Sequence, residues 1–298
     1  MSDLAQAVPV AEPKQVRAGL SASALWFALA IVALAAWLYA PVVYRLVRQW
    51  WSDPNFSHGF LVPIFAGFVL WQKREMLASV RQKPSAWGLP VIVLALLMLV
   101  VGSFGAELFL SRVSLIVLAA GMVVFFLGWA MFVAVLFPLL ILLLMVPIPA
   151  IVFSQITFPL QILASKLAAW FLPIIGVPVL REGNIINLPS MPLEVAQACS
   201  GIRSLMSLTT LAIIYGYLLE SRISLRVVLA VASFPIAVAA NAFRIVGTGL
   251  IVQYWDPEKA EGFFHLFSGW LVFVVSLLML FGLHRLLRWT GRKQEAAG

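Results

Sequence analysis

Cysteine occurs once in this chain of 298 residues, at Cys199, and histidine only three times. A single thiol cannot close an internal disulfide, so Cys199 is inert packing, a reactive group, or half of an intermolecular bond. Charge is scarce as well: 11% of the residues are charged and 63% hydrophobic, against roughly 25% and 45–50% in a soluble domain. With a mean hydropathy of +1.03, this excludes an ordinary soluble globule and implies a polytopic membrane protein. Also lacking are a glycine-rich phosphate loop, a G-x-S-x-G serine elbow and paired carboxylates within the apolar runs. His58, His265 and Cys199 show no zinc-ligand spacing and His284 falls on the opposite side, so neither a metal nor a cofactor is expected. The net charge of +8 comes from short basic clusters beside apolar runs, which set membrane orientation and imply no nucleic-acid partner.

A membrane-crossing helix needs about 20 apolar residues, because its backbone must be satisfied internally. Such runs lie near 22–43, 58–72, 86–105, 109–128, 130–147, 200–219, 226–251 and 267–284. They predict an all-α polytopic fold of about eight transmembrane helices. The first run is too long for a cleaved signal core and reads as a retained anchor. The basic clusters "QKRE" (72–75) with Arg81 and Lys83, "SRISLR" (221–226) and "HRLLRWTGRK" (284–293) all become cytoplasmic if both termini are cytoplasmic. Arg45 and Arg48, beside the interfacial "RQWW", are a local exception. Residues 150–172 are apolar enough for a ninth span but carry Pro159 and polar Ser154, Thr157, Gln161 and Ser165. Crossing there would move two basic clusters outside, so the segment is expected to be an outer interfacial or re-entrant helix. After it, "NIINLPS" and "LEVAQA" read as a short strand-like loop. The expected organisation is a cytoplasmic tail (1–21), one membrane domain (22–290) with an outer region (148–198), and a short cytoplasmic tail (291–298).

In this topology Cys199 opens the sixth span from the outer side. The positive end of a helix dipole and Arg203 at i+4 both favour a thiolate there. In the seventh span, "PIAVAANAFRIVGTG" buries Asn241 and Arg244, and an arginine within a span costs from about 2.5 to more than 10 kcal/mol unless it has a partner or cavity. Asn241, Arg244 and Thr248 share a face, Pro235 can open a kink beside it, and Arg244 falls about 10 Å inside the outer end near Ile251. His265 opens the last span from the same side. A thiol nucleophile, a cation for an oxyanion and an imidazole proton carrier are the parts of acyl transfer through a thioester. Each residue also has a plainer reading: Cys199 as a small hydrophobe, Arg244 as a packing lock on a carbonyl, His265 as a headgroup contact. A rival function is a transporter or assembly component, with Asn241 and Arg244 lining a path and Cys199 dispensable; transporters often carry internal repeats, and none is found. A protease cutting within the substrate's own membrane helix is a third possibility. Glu182 and Glu194 read as solvated, and Glu107 as a local ion-pair partner of Arg112.

Five motifs, "FSHGFLVP" (56–63), "GVPVLREGNIINLP" (176–189), "LEVAQACSGIRSL" (193–205), "NAFRI" (241–245) and "HLFSGW" (265–270), together resemble the exosortase/archaeosortase family over about residues 55–290. The resemblance implies a multispanning bacterial enzyme of the inner membrane, considered a cysteine transpeptidase or protease. Its substrates would be proteins ending in a PEP-CTERM signal: a Pro-Glu-Pro motif, a membrane helix and a basic tail. Such enzymes tend to accompany exopolysaccharide production, so the rival transporter or assembly component would serve exopolysaccharide secretion. The family's Cys, Arg and His map onto Cys199, Arg244 and His265, which implies nucleophile, oxyanion stabiliser and general acid/base on the periplasmic side. Arg203 matches a position of the cysteine motif, and with Asn241 and Arg181 it is a candidate for substrate binding. The implied partners are PEP-CTERM proteins and membrane lipids.

Overall fold

Hydrocarbon offers no hydrogen bonds, so a chain this apolar closes its backbone polar groups into helices and leaves large side chains facing outward. The computed structural model describes residues 22–105, 108–195, 201–255 and 263–297, and it is an all-α membrane architecture with one small sheet. The chain divides into two units, Met1–Pro41 and Val42–Gly298, and the sites described below lie in the second. Helix α1 (Ala22–Ser52) is followed by a 3-10 turn (Pro54–Phe60), α2 (Leu61–Gln72), α3 (Arg74–Ser79), α4 (Gly88–Phe104), α5 (Leu108–Leu127) and α6 (Trp129–Ile141), the last prolonged by a 3-10 turn (Leu142–Met145). Then come α7 (Ala150–Phe171), strands β1 (Leu180–Glu182), β2 (Ile185–Asn187) and β3 (Pro192–Glu194), α8 (Ile202–Leu219), α9 (Ile223–Tyr254) and α10 (Phe263–Ala297).

Among the described residues, six helical stretches have the length and hydropathy to cross a bilayer: Leu29–Ser52, Leu108–Leu127, Ala150–Ile175, Ile202–Leu219, Ile223–Tyr254 and Gly269–Thr290. Two shorter apolar helices, Gly88–Phe104 and Trp129–Met145, join them. The expected span at 58–72 takes a different form. Asp53 accepts from the Asn55 amide at 2.9 Å and Pro54 opens the 3-10 turn. This leaves α2 with 12 residues, about 18 Å of helix, which is too short to cross alone. Trp50 Nε1 donates to the Met145 carbonyl at 2.8 Å, tying the end of α1 to the end of α6.

Helices α8 and α9 form an antiparallel pair in constant register. Gly201 abuts Asn241, Thr209 and Ser233 hydroxyls bond at 2.8 Å, and Gly216 abuts Arg226; each step along α8 is matched by an equal step back along α9. The pair therefore has a Gly201 end and a Glu220 end. Helix α9 continues 13 residues past Asn241, about 20 Å, and this extension is covered by protein. Ala164, Ala168 and Leu172 of α7 and the adjoining turn pack with Ile186, Leu188 and Val195 of the sheet region on Ile245, Val246 and Val252. At the other extremity of α7, Phe153 meets Phe56, ring centroids 5.7 Å apart. By length and composition Ala150–Ile175 is a candidate span, where an interfacial or re-entrant helix was expected.

The sheet has order β1-β2-β3, all antiparallel. Strand β1 was not among the expected strands. Its signal was present: Gly183–Asn184 makes a two-residue hairpin connection, with Gly183 at φ +63°, the backbone such tight turns demand.

At the Glu220 end, His284 of α10 bonds Glu220 Oε1 through Nε2 at 2.5 Å and the Tyr215 hydroxyl through Nδ1 at 2.6 Å. Glu220 is 8% exposed and His284 5%, so this network joins α8 to α10 out of water's reach, while Arg288 Nε approaches Glu220 from a more open position at 3.5 Å. Removing one member strands the other. Glu220→Ala should cost roughly 3–5 kcal/mol, read as a lowered thermal unfolding temperature in detergent. His284→Ala should behave alike, and the double variant should lose less than the two single losses combined.

Candidate functional site

The Gly201 end gathers most of the described candidate residues around α9. Gly201 caps α8 with φ +81°, a conformation that side-chain-bearing residues rarely adopt. A β-carbon there would stand 2.9 Å from Asn241 Cγ and 3.0 Å from its Cβ. Glycine is thus required twice at this position, by backbone angle and by the approach of Asn241. Asn241 itself is 1% exposed, so the start of α8 is seated on a buried amide of α9.

One turn further along α9, Arg244, Ile245 and Thr248 line a small open pocket with Leu193, Glu194 and Val195 from the end of β3. The Thr248 hydroxyl donates to the Arg244 carbonyl at 3.0 Å, a bond within its own helix that leaves the guanidinium as the pocket's cationic group. Arg244 stands ten residues, about 15 Å, from the end of α9 at Tyr254. That is deeper in its helix than expected, because α9 runs on past Ile251. Relative to α8 it lies three residues beyond the Gly201 contact. Its neighbours there include the sheet region, so the cost of an arginine in hydrocarbon is met by a protein-lined pocket.

Cys199 lies outside the described residues, but both flanks of its segment are described. Val195 lines the Arg244 pocket and is 1% exposed, and its amide is bonded to the Asn184 carbonyl at 2.9 Å. Gly201 rests on Asn241. His265 falls in the first turn of α10, with its side chain outside the described set.

Arg203 sits in the first turn of α8, partly buried, with Nε shielded from solvent and without a hydrogen-bond partner among the described residues. Arg181 is placed elsewhere: its guanidinium donates to the Gly183 carbonyl at 2.6 Å. Strand β1 lies two positions from β3, about 10 Å across the sheet. Glu194, outside the candidate set, was expected to be solvated; it is exposed, and it also lines the open Arg244 pocket. His58, 9% exposed, sits in the 3-10 turn that packs against α8, with Nδ1 lacking a partner among the described residues. The sequence held a hint of His58 in the "SHG" of an otherwise apolar run; it held none of Glu194's placement, which depends on the sheet folding back on α9.

Comparison with known proteins gives one match. The family model described as Transmembrane exosortase (Exosortase_EpsH) matches residues 50–282, a stretch that includes every element around the pocket. No curated protein and no solved structure matches the chain.

Gly201→Ala should destabilise the protein by about 1–3 kcal/mol through the strained backbone and the clash with Asn241, measured as a fall in thermal unfolding temperature. Adding Asn241→Ala should restore part of that loss, since it removes the Cγ and Nδ2 contacts while leaving the positive φ.

Proposed function

The chain belongs to the transmembrane exosortase family, and we propose on that premise that it is a membrane-embedded cysteine transpeptidase or protease. Its substrates are proteins bearing a C-terminal PEP-CTERM signal, and its work is linked to exopolysaccharide export. The reaction is assigned to the Gly201 end, taken as the periplasmic side of a bacterial inner membrane, with both termini in the cytoplasm. The observation that supports this reading is the pocket that Arg244 lines with Glu194 and Val195, one turn along α9 from the Gly201 contact with Asn241.

The chemistry follows from the residue types. The Cys199 thiolate attacks the scissile carbonyl carbon, and the carbonyl electron pair moves onto oxygen. Arg244, a planar cation with several N–H donors, stabilises that oxyanion where charge develops. As the intermediate collapses, the C–N bond breaks and His265 gives its proton to the leaving amine. The product is a thioester on Cys199. Water or an acceptor amine then attacks the thioester, His265 takes the attacking group's proton, and the thiolate is restored. Water gives a protease, and an amine gives a sorting transpeptidase. Arg203 supplies a second cation at the start of α8. It suits both lowering the thiol's proton affinity and receiving the glutamate of the Pro-Glu-Pro segment.

The test is processing of a tagged PEP-CTERM substrate in cells. Cys199→Ala should abolish processing, a fall of at least about a thousandfold, and undiminished processing would remove the nucleophile assignment. Arg244→Ala should cost about 100–1000-fold in rate. Arg244→Lys should recover little, because an ammonium keeps the charge but loses the planar fork. His265→Ala should fall by about 100–10,000-fold.

A further inference from the structure

At the Glu220 end, the Tyr217 ring collects two cations, Lys73 from the turn between α2 and α3 and Arg226 from α9. Phe137 stacks on it, with centroids 4.3 Å apart and planes at 9°, so one face is filled. Phe65 meets it edge-on at 5.9 Å. The Arg226 guanidinium carbon stands 5.0 Å and the Lys73 ammonium 5.8 Å from the same ring centroid. Both therefore belong to the face that Phe137 leaves open. Two like charges over one ring repel each other, and attraction to the ring's π face offsets only part of that. The arrangement calls for an anion.

The carboxylates at this end are committed elsewhere. Glu220 holds His284 and Arg288, and Glu75 faces Arg74 at 3.7 Å. Among the described residues, no carboxylate pairs with Lys73 or Arg226. Arg226 Nε donates to the Glu220 backbone carbonyl at 2.7 Å, which fixes the guanidinium and uses one of its five N–H groups.

We infer that Lys73 and Arg226, gathered over Tyr217, form a headgroup site for an anionic phospholipid of the surrounding membrane. The choice of a lipid over a soluble anion rests on what leads away from the cations. Ring contacts run from Tyr217 to Phe65, then to Phe68 at 6.5 Å and to Trp71 at 6.0 Å. Phe68 and Trp71 are exposed, so the path ends on the lipid-facing surface. The phosphate sits between the two cations and the acyl chains lie along the exposed aromatics of α2. Arg74, stacked 4.8 Å over Trp71, marks the water boundary. This reading is independent of the chemistry assigned to the Gly201 end.

The test is lipid retention by the full-length protein, purified from mixed micelles of phosphatidylglycerol and phosphatidylcholine and weighed intact by native mass spectrometry. Wild type should retain phosphatidylglycerol in preference to phosphatidylcholine. Lys73→Gln with Arg226→Gln should lower that retention roughly thirtyfold, and Lys73→Gln alone, which spares the Arg226–Glu220 bond, roughly fivefold, the strength usual for cations beside an anionic headgroup. Arg81→Gln with Lys83→Gln, which removes two charges from a nearby loop, should change it less than twofold. Equal loss in that control pair would reduce the site to general surface charge. No loss in Lys73→Gln would overturn the proposal. Displacement of the retained lipid by millimolar inorganic phosphate would show a soluble-anion site instead, and would also overturn it.

Discussion

The antiparallel seam between α8 and α9 is the constraint on which the other features depend. It is pinned at three levels, by Gly201 on Asn241, by the Thr209–Ser233 hydroxyl pair and by Gly216 on Arg226. Small residues at both ends let the backbones approach, as is common where helices associate in membranes. Because the register is constant, a residue's place along one helix fixes its height relative to the other. Arg244 is thereby set just past the start of α8, and Arg226 is set beside Tyr217. The same seam thus organises a cationic pocket at one end and a cationic pair at the other.

The ends differ in how they handle charge. At the Glu220 end a carboxylate, an imidazole and a phenol satisfy one another in a buried chain, and breaking it exposes the full desolvation cost of whatever remains. At the Gly201 end a polar group is held with capacity to spare: the shielded Nε of Arg203 has no partner among the described residues. A protein rarely leaves such a group buried without use. This contrast with the tightly paired groups of the Glu220 end agrees with one end built for stability and the other for chemistry.

Much of the membrane architecture was legible in the sequence, because hydrocarbon imposes a single rule on backbone and side chain alike. The runs at 86–105, 109–128, 130–147 and 200–219 return as α4, α5, α6 with its 3-10 turn, and α8, with ends shifted by a few residues. The run at 58–72 did not, because Asp53 and Pro54 start a 3-10 turn that hydropathy cannot register. The segment at 150–172, expected to be interfacial or re-entrant because of its Pro159 and polar residues, has the length and composition of a span. The common face of Arg244 and Thr248 follows from helical spacing and is seen in the pocket. Glu194 and the Lys73–Arg226 pair were not legible, since each depends on elements distant in sequence meeting at one height. Strand β1 was legible in principle through Gly183–Asn184, but three-residue strands carry almost no periodic signal.

The central claim is that the lone thiol, Cys199, carries the substrate during turnover. It is tested most directly by mass spectrometry of the enzyme isolated during processing of a PEP-CTERM protein, using His265→Ala to slow both steps. The account predicts a substrate fragment joined to the peptide containing Cys199, released by hydroxylamine as a thioester is. Processed substrate accumulating while that peptide stays unmodified and fully alkylatable would contradict it.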